Sequence, residues 1–191
     1  MKSNLSKFCA TLLLTLGGCA HPTVSAVEND RTLSRQMSTA EYRLGVDDRV
    51  RIIVFDEQTL SGEFQIGADG NLSFPLVGAV PAVGKTTDEV ALAYQAKLSD
   101  GYLVNPRVSA EVVAYRPFFI LGEVKTPGKY PYAVGLTALN AIATAAGFTP
   151  RGDKQIVFIR KSGEAMEKPY KLSPDLMILP GDTVRIGERF F

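Results

Sequence analysis

The stretch GAVPAVGKTTDEV at residues 78–90 contains a Gly-Lys-Thr triplet in front of a helix-like run. A nucleotide-binding P-loop needs a glycine five residues before that triplet, because its backbone N–H groups must wrap around the phosphates. Here Ala79 stands five residues before Gly84, and Gly78 lies one position too far away. Pro81, inside the same stretch, has no backbone N–H to donate. The spacing therefore argues against a nucleotide site and favours a surface turn followed by a capped helix.

The residues most often used as catalytic bases, thiol nucleophiles and transition-metal ligands are almost missing from this sequence. His21 is the only histidine and lies in a polar stretch, and the two cysteines, Cys9 and Cys19, also belong to the N-terminal part. A Ser-His-Asp triad and a metal site of histidine or cysteine therefore lack their residues in the rest of the chain. We predict no catalytic residue, no metal site and no cofactor-binding residue.

Carboxylates are the remaining candidates for acid-base chemistry. Asp47 is adjacent to Asp48 in sequence, as Asp56 is to Glu57, and adjacent residues of a strand point to opposite faces. A hydrolase would need carboxylates that converge from different segments, such as Asp56, Glu57 and Asp69. This enzyme alternative stays open, although solvated carboxylates beside turns explain the same residues. The lysines at positions 85, 125 and 129 are interpreted as surface charges.

The composition is that of a globular protein without a nucleic-acid footprint. The 191 residues are 46% hydrophobic and 21% charged, which suits one compact domain or two small ones. The 21 basic and 20 acidic residues nearly balance, and no basic run could follow a phosphate backbone. No nucleic-acid partner is predicted.

The N-terminal residues differ in character from the rest. Lys2 and Lys7 precede an apolar core at 8–16, and small residues follow, so that residues 1–18 are predicted to be a bacterial secretory signal peptide. The core is too short for a permanent transmembrane helix. Leu-Gly-Gly-Cys at its end resembles the lipobox of bacterial lipoproteins, which implies lipidation of Cys19 as the first residue of the mature chain.

Residues 19–41 are predicted to be a tether between this lipid anchor and the folded part. Polar residues dominate the segment, and its few apolar residues show no sustained period. A small neutral residue, Ala20, follows the modified cysteine and is compatible with sorting to the outer membrane. We expect an outer-membrane lipid-anchored protein that faces the periplasm.

Residues 42–115 are predicted to form a β-rich unit with one helix. The expected elements are a strand at 49–55, a hairpin joining 64–66 to 72–74 through the Asp-Gly-Asn turn at 69–71, a helix, and a strand at 107–114. Thr86 and Glu89 have the spacing of a capping box at the start of the helix. The inward face of that helix is predicted to carry Val90, Ala91, Tyr94 and Leu98.

Residues 116–191 are predicted to form a second unit of strands around one helix. The expected elements are a strand at 118–121, a hairpin at 122–130, a helix at 136–146 and strands at 156–160 and 183–186. Pro127-Gly128 fits the centre of a type II turn, with the glycine at positive φ. Leu139, Ile142, Ala143 and Ala146 are expected on the inward face of the helix, and Gly147 at its end.

Two short patterns occur in both predicted units. Asp48-x-Val-Arg-Ile52 matches Asp182-x-Val-Arg-Ile186, and Val83-Gly-Lys-Thr86 matches Val134-Gly-Leu-Thr137. The second pattern precedes the helix in each unit. Duplication and convergent turn chemistry explain these matches equally well.

The motifs of the folded part, taken in order, resemble those of the bacterial polysaccharide export family. Its polysaccharide export domain is similar to Tyr42-Arg-Leu-Gly-Val-Asp-Asp48, Val50-Arg-Ile-Ile-Val-Phe55, Asp69-Gly-Asn-Leu-Ser-Phe-Pro-Leu-Val-Gly78 and Thr86-x-x-Glu89. Its SLBB domain, a soluble-ligand-binding β-grasp, resembles Gly122-Glu-Val-x-x-Pro-Gly-x-Tyr130, Gly135-Leu-Thr137, Ala146-Gly-Phe148 and Leu179-Pro-Gly-Asp182. The resemblance implies an α+β fold, with an export domain at 42–115 followed by one β-grasp domain at 116–191.

The resemblance also implies a function without catalysis. It implies a ring-shaped homo-oligomer in the periplasm that passes capsular polysaccharide or exopolysaccharide outward. The implied partners are an inner-membrane co-polymerase, a separate outer-membrane pore protein, and the polysaccharide as cargo. A glycan-binding module that forms no conduit is the alternative.

Two departures from the family pattern bear on the expectation. The sequence has one β-grasp motif set and ends at Phe191, so it resembles a short member without the C-terminal pore helix. Val46-Asp47-Asp48 stands where the family more often has Pro-Gly-Asp, which is expected to alter one turn and little else.

Overall fold

The computed structural model describes residues 42–189 and has the predicted α+β fold, with ten strands and two helices in that range. The signal segment, Cys19, His21 and the tether lie outside the described residues. Neither helix of the described range is long and apolar enough to cross a membrane.

The first unit is built on a three-stranded antiparallel sheet. Its strands are β1 (Arg49–Val54), β2 (Gly62–Gln65) and β5 (Val108–Ala114), in the order β2-β1-β5. Strands β3 (Asn71–Phe74) and β4 (Gly78–Pro81) form a separate antiparallel pair, and a short 3-10 helix spans Gln58–Leu60. The predicted alternation of β1 is confirmed, since every second residue of it is buried.

The predicted pairing of 64–66 with 72–74 is wrong. Strand β2 pairs with β1, and β3 pairs with β4 through a turn at residues 75–77. That turn places Leu76 at a φ of 66°, a left-handed conformation that bulky residues seldom adopt. It contains none of the Asn-Gly or Asp-Gly signals that mark a hairpin in a sequence. The Asp-Gly-Asn turn at 69–71 therefore connects β2, which pairs with β1, to β3, which pairs with β4, and closes no hairpin itself.

Helix α1 (Thr87–Ser99) forms as its sequence predicts. Thr86 Oγ1 accepts a hydrogen bond from the Glu89 N–H at 3.2 Å, and Glu89 Oε2 accepts one from the Thr86 N–H at 2.9 Å. The predicted inward face is buried in full: Val90, Ala91, Tyr94 and Leu98. The Tyr94 ring stacks on Phe74 with ring centroids 3.9 Å apart, which fastens the helix to the β3–β4 pair.

The second unit is a five-stranded mixed sheet with one helix against it. Its strands are β6 (Phe118–Gly122), β7 (Gly128–Tyr130), β8 (Gly152–Arg160), β9 (Lys168–Lys171) and β10 (Thr183–Glu188), in the order β7-β6-β10-β8-β9. The central strand β10 runs parallel to β6 and antiparallel to β8. Helix α2 (Ala138–Thr144) covers the buried face of this sheet.

The predicted helix at 136–146 is longer than α2, and its inward face is largely wrong. Thr137 Oγ1 accepts a hydrogen bond from the Asn140 N–H, so the helix begins at Ala138. The three- and four-residue spacing counted from that start buries Ala138, Ala141, Ile142 and Ala145. Only Ile142 belonged to the predicted face, and Leu139, Ala143 and Ala146 are exposed.

The predicted type II turn at Pro127-Gly128 is also wrong, because Gly128 has no positive φ and begins β7. The left-handed glycine of this hairpin is Gly122, with a φ of 85°. A Cβ atom there would lie 2.0 Å from the carbonyl oxygen of Ile186, so the close approach of β6 to β10 requires glycine.

Each unit has a hydrophobic cluster of its own. The first cluster draws on β1, β3, β4 and α1, and the second on β6, β8, β10 and α2. No residue belongs to both clusters, so the two units have separate cores.

Removing the cap of α1 should destabilise the protein, whereas removing the neighbouring lysine should not. Thr86→Ala leaves the Glu89 N–H without its acceptor, and we expect a loss of about 1 kcal/mol in the free energy of unfolding. Lys85→Ala is the matched control, because the Lys85 side chain takes no part in the cap. Urea unfolding followed by circular dichroism measures both. Equal stabilities of the two variants would contradict the assigned cap.

Candidate functional site

The carboxylates proposed for a hydrolase do not converge. Asp56 and Glu57 follow the last residue of β1, whereas Asp69 lies near the beginning of that strand, where the Ile66 N–H bonds the Asp48 carbonyl. A six-residue strand separates these positions by about 20 Å. The side chain and the N–H of Asn71 donate to the Asp69 carboxylate, which lowers the pKa of Asp69. Asp69 thus organises its turn.

The Gly-Lys-Thr loop has no free backbone donors for a phosphate. The Gly84 N–H donates to the Leu44 carbonyl at 2.8 Å, and the Lys85 N–H donates to the Ala82 carbonyl at 3.1 Å. The Thr86 N–H donates to the Glu89 side chain. All three N–H groups that would face a phosphate are therefore engaged within the protein.

No cluster suited to a metal ion occurs within residues 42–189, where no group of three or more His, Cys, Asp or Glu side chains meets. At the junction between the two units, four hydrogen-bond donors instead meet one buried carboxylate.

The junction is built around the carboxylate of Asp48, which is fully buried. Tyr42 Oη donates to its Oδ2 at 2.7 Å, as does the Gly45 N–H at 2.7 Å. The Arg116 N–H donates to Oδ1 at 2.7 Å, and Arg116 Nη1 donates to Oδ2 at 3.2 Å. A buried carboxylate is tolerated only when its oxygens are satisfied in this way.

Arg116 extends this contact to the second unit. Its Nε donates to the Pro180 carbonyl at 3.1 Å, in the turn that precedes β10. Arg116 stands in the three-residue connection between β5 and β6, so one side chain bridges both units at the point where the chain crosses.

Three tyrosine rings pack beside the same bridge. The Tyr115 ring meets Tyr42 edge-on at 4.9 Å between centroids and meets Tyr132 of the second unit at 5.5 Å. Burial raises the pKa of Tyr115 and of Tyr132. The junction therefore combines one ionic centre with an aromatic contact on its flank.

The two Asp-x-Val-Arg-Ile patterns have the same local structure. The Asp48 N–H bonds the Gly45 carbonyl, and the Asp182 N–H bonds the Leu179 carbonyl, so each aspartate closes a four-residue turn. Its carboxylate accepts the N–H three residues earlier, from Gly45 in one unit and from Leu179 in the other. The third residue of each turn is left-handed, with a φ of 72° at Asp47 and 82° at Gly181.

Asp47 in the Val46-Asp47-Asp48 turn and Gly181 in the Pro180-Gly181-Asp182 turn are both left-handed. Aspartate tolerates the left-handed region better than most residues, so Asp47 reproduces the geometry that glycine has in the second unit.

The likeness of the two units extends to the neighbouring elements. Asp48 Oδ1 accepts a hydrogen bond from the Arg116 N–H. Arg116 lies two residues after Ala114 of β5, which pairs with Arg49 of β1. In the second unit, Asp182 Oδ1 accepts a hydrogen bond from the Ser162 N–H. Ser162 lies two residues after Arg160 of β8, which pairs with Thr183 of β10. The order of the elements differs, however, because the aspartate turn precedes the helix in the first unit and follows it in the second.

Comparisons with known proteins divide the chain in the same order. Residues 36–113 match the family model described as polysaccharide biosynthesis/export protein, and residues 117–169 match the SLBB domain model. The chain belongs to the polysaccharide export family. Residues 114–116, which include Tyr115 and Arg116 of the junction, fall between the two matches.

Two curated relatives agree with this assignment. The exopolysaccharide production protein ExoF of Rhizobium meliloti (strain 1021) is 41% identical over 164 residues, covering 78% of this chain and 39% of that protein. The polysialic acid transport protein KpsD of Escherichia coli is 24% identical over 159 residues, covering 78% of this chain and 28% of that protein. The chain thus spans well under half the length of these relatives.

The sequence predicted no site at the junction. Repetition of the aspartate pattern was the one signal that pointed to Asp48. Arg116 carried no signal, because its role depends on a carbonyl group 64 residues away.

Loss of the Tyr42 hydroxyl should change how the free energy of unfolding depends on pH above about pH 10. Burial, followed by the hydrogen bond to Asp48, raises the pKa of Tyr42 far above its ordinary value of 10.0. The folded state holds the phenol neutral while the unfolded state ionises, so stability is full below pH 10 and falls as pH rises above it. The contribution of this group is up to about 1.4 kcal/mol per pH unit.

Tyr42→Phe should therefore flatten the fall in unfolding free energy between pH 10 and pH 11, and cost about 1–3 kcal/mol at pH 7. Tyr102→Phe, which changes an exposed phenol far from the junction, should keep the wild-type profile. Urea unfolding at pH 7, 10 and 11 measures this. Identical profiles for Tyr42→Phe and wild type would contradict the assigned role.

Proposed function

We propose that the protein is a periplasmic, outer-membrane-anchored component of a complex that exports capsular polysaccharide or exopolysaccharide. It acts as a ring-forming conduit or scaffold, and its partners are an inner-membrane co-polymerase and an outer-membrane pore protein. The anchor is an acylated Cys19, and residues 19–41 tether the folded units at 42–115 and 116–191. The observation that carries this proposal is the match to an export domain followed by an SLBB domain.

The surfaces of both sheets support a passive role. Arg51, on the outward face of β1, bonds Glu63 at 2.8 Å and Glu111 at 2.9 Å. Arg185, at the corresponding place on β10, bonds Glu167 through its Nε. Such paired, hydrated charges neither enclose a sugar nor hold it tightly. A polymer that must keep moving requires weak, dispersed contacts of this kind.

One end of the first unit supports assembly through apolar contact. Phe55, Leu76, Tyr102 and Val104 are all exposed there, at the end of β1 that lies away from the junction. The loops that carry them are linked, because the Tyr102 hydroxyl donates to the Leu76 carbonyl and the Phe55 N–H donates to the Arg107 carbonyl. Exposed apolar groups gathered from three loops are typical of an interaction surface. We call this set the distal patch.

The anchor and the export role can be tested together in the producing organism. Cys19→Ser should release the protein from the membrane fraction and reduce extracellular polysaccharide, because one acylation site supplies the whole attachment. Cys9→Ser is the matched control, since residue 9 lies in the segment predicted to be removed. Fractionation, acyl labelling and assay of secreted polymer are the measurements.

Deletion of the gene should abolish secreted polysaccharide and leave polymer inside the cell. Unchanged secretion in the deletion strain, with no second copy of the gene, would refute the export role. Retention of Cys19→Ser in the membrane with unchanged acyl labelling would refute the anchor.

The role of the distal patch can be tested by the mass of the purified lipoprotein in mild detergent. Val104→Glu places a charge at a side chain that is 98% exposed, so we expect normal folding but a smaller assembly. Val134→Glu, at a side chain 69% exposed in the second unit, is the matched control and should keep the wild-type mass.

The mass of the wild-type assembly distinguishes a ring-forming conduit or scaffold from a glycan-binding module. A ring of many subunits supports the conduit or scaffold. A strict monomer with saturable oligosaccharide binding would instead identify a glycan-binding module.

A further inference from the structure

We infer that Arg116 is a positioning residue that fixes the angle between the first unit, which we also call the export unit (residues 42–115), and the second unit, the β-grasp unit (residues 116–191). Its relevance to secretion rests on the function proposed above, whereas its effect on the angle does not. The Arg116 guanidinium lies between the two equivalent aspartate turns.

The Arg116 side chain has one contact with each turn. Nη1 donates to Asp48 Oδ2 in the first turn, and Nε donates to the Pro180 carbonyl in the second. These two nitrogens belong to one rigid planar group, so their hydrogen bonds constrain distance and direction together. A lysine carries its three N–H donors on one nitrogen and lacks the fixed planar spacing of Nε and Nη1, so it does not hold both acceptors in the same directions.

Both turns are shaped to admit this guanidinium. A Cβ atom on Gly45 would lie 1.7 Å from Arg116 Nη1, and a Cβ atom on Gly181 would lie 2.7 Å from Arg116 Nε. The missing side chains thus create the space that the arginine fills. Gly181 also needs its positive φ, but Gly45 has no such backbone requirement. Gly45→Ala therefore displaces the guanidinium with little other backbone strain.

The rest of the connection holds each end of the chain to its own unit. The Arg116 N–H bonds Asp48 of the first unit, and the Pro117 carbonyl accepts from the Gly181 N–H of the second. Rotation between these two anchor points is opposed by the Arg116 side chain and by the contact of Tyr115 with Tyr132. Arg116 supplies the directional part of this restraint, because hydrogen bonds depend on angle more sharply than ring contacts do.

A fixed angle between units matters for a ring. Each subunit of a closed ring must present the same two surfaces at one angle, and a subunit with variable shape closes less reliably. A change at Arg116 should therefore disturb assembly while both units remain folded.

The distance between the units can be measured in the full chain with paired spin labels. Cys9→Ser and Cys19→Ser remove the native thiols, because the sequence has two cysteines. Leu92→Cys on α1 and Met166→Cys in the second unit then supply exposed labelling sites, one in each unit. Pulsed electron–electron double resonance reports the distribution of distances between the two spin labels. Circular dichroism and thermal unfolding report whether each variant is folded.

We expect a narrow distribution for the labelled parent, and a broadened or shifted one for Arg116→Lys and for Gly45→Ala, each measured below its own melting temperature and with the far-UV circular dichroism of the parent. Gly128→Ala is the matched control, because its new Cβ makes only ordinary contacts, and it should leave the distribution unchanged. If the distance distributions of Arg116→Lys and Gly45→Ala coincide with that of the parent, the inference is overturned, even if these variants secrete less polysaccharide.

The consequence for export is tested separately with Arg116→Lys in the producing organism, with Cys9 and Cys19 intact. Reduced ring mass and reduced secretion, at normal protein level, are the expected result. A broadened distance distribution together with normal ring mass and normal secretion would overturn the role of this angle in export. Neither result would bear on the deletion test of the proposed function.

Discussion

The buried carboxylate of Asp48 is the constraint on which the joining of the two units depends. It has no access to water and is satisfied by four donors from Tyr42, Gly45 and Arg116. Loss of one charged partner would leave an uncompensated buried charge, at a cost of about 3–5 kcal/mol. The N-terminal start of the export unit, its first turn and the connection to the β-grasp unit are therefore held by one group.

This arrangement suits a protein that works by shape. Within the described residues no three or more His, Cys, Asp or Glu side chains meet, and four hydrogen-bond donors converge on the Asp48 carboxylate at the junction. The polar sheet faces and the distal patch lie on the outside, where the proposed function requires contact with polymer and with other subunits. A rigid junction controls how those outer surfaces are presented, which is the property that an assembly of repeated subunits requires.

Local signals predicted the fold well wherever a strong short-range rule acted. The capping box at Thr86 placed α1 and its buried face correctly, because a cap sets both the start and the phase of a helix. Thr137 also caps its helix, but Asn140 stands where a capping box has Glu or Gln, so no complete box marks the start of α2, and most of its predicted inward face was wrong. The pairing of β3 with β4 was missed because its turn places Leu76 in a conformation that no sequence rule assigns to leucine.

The sequence by itself determined the family, the α+β class, the strand alternation of β1 and the absence of a P-loop, since these depend on residue type and spacing along the chain. Only the tertiary structure decided which strands pair and which residues join the units. The Arg116 side chain is placed by Asp48 and Pro180, which lie 68 and 64 residues away. A contact of that kind leaves no periodic or local trace, because its geometry exists only after both turns have folded and come together.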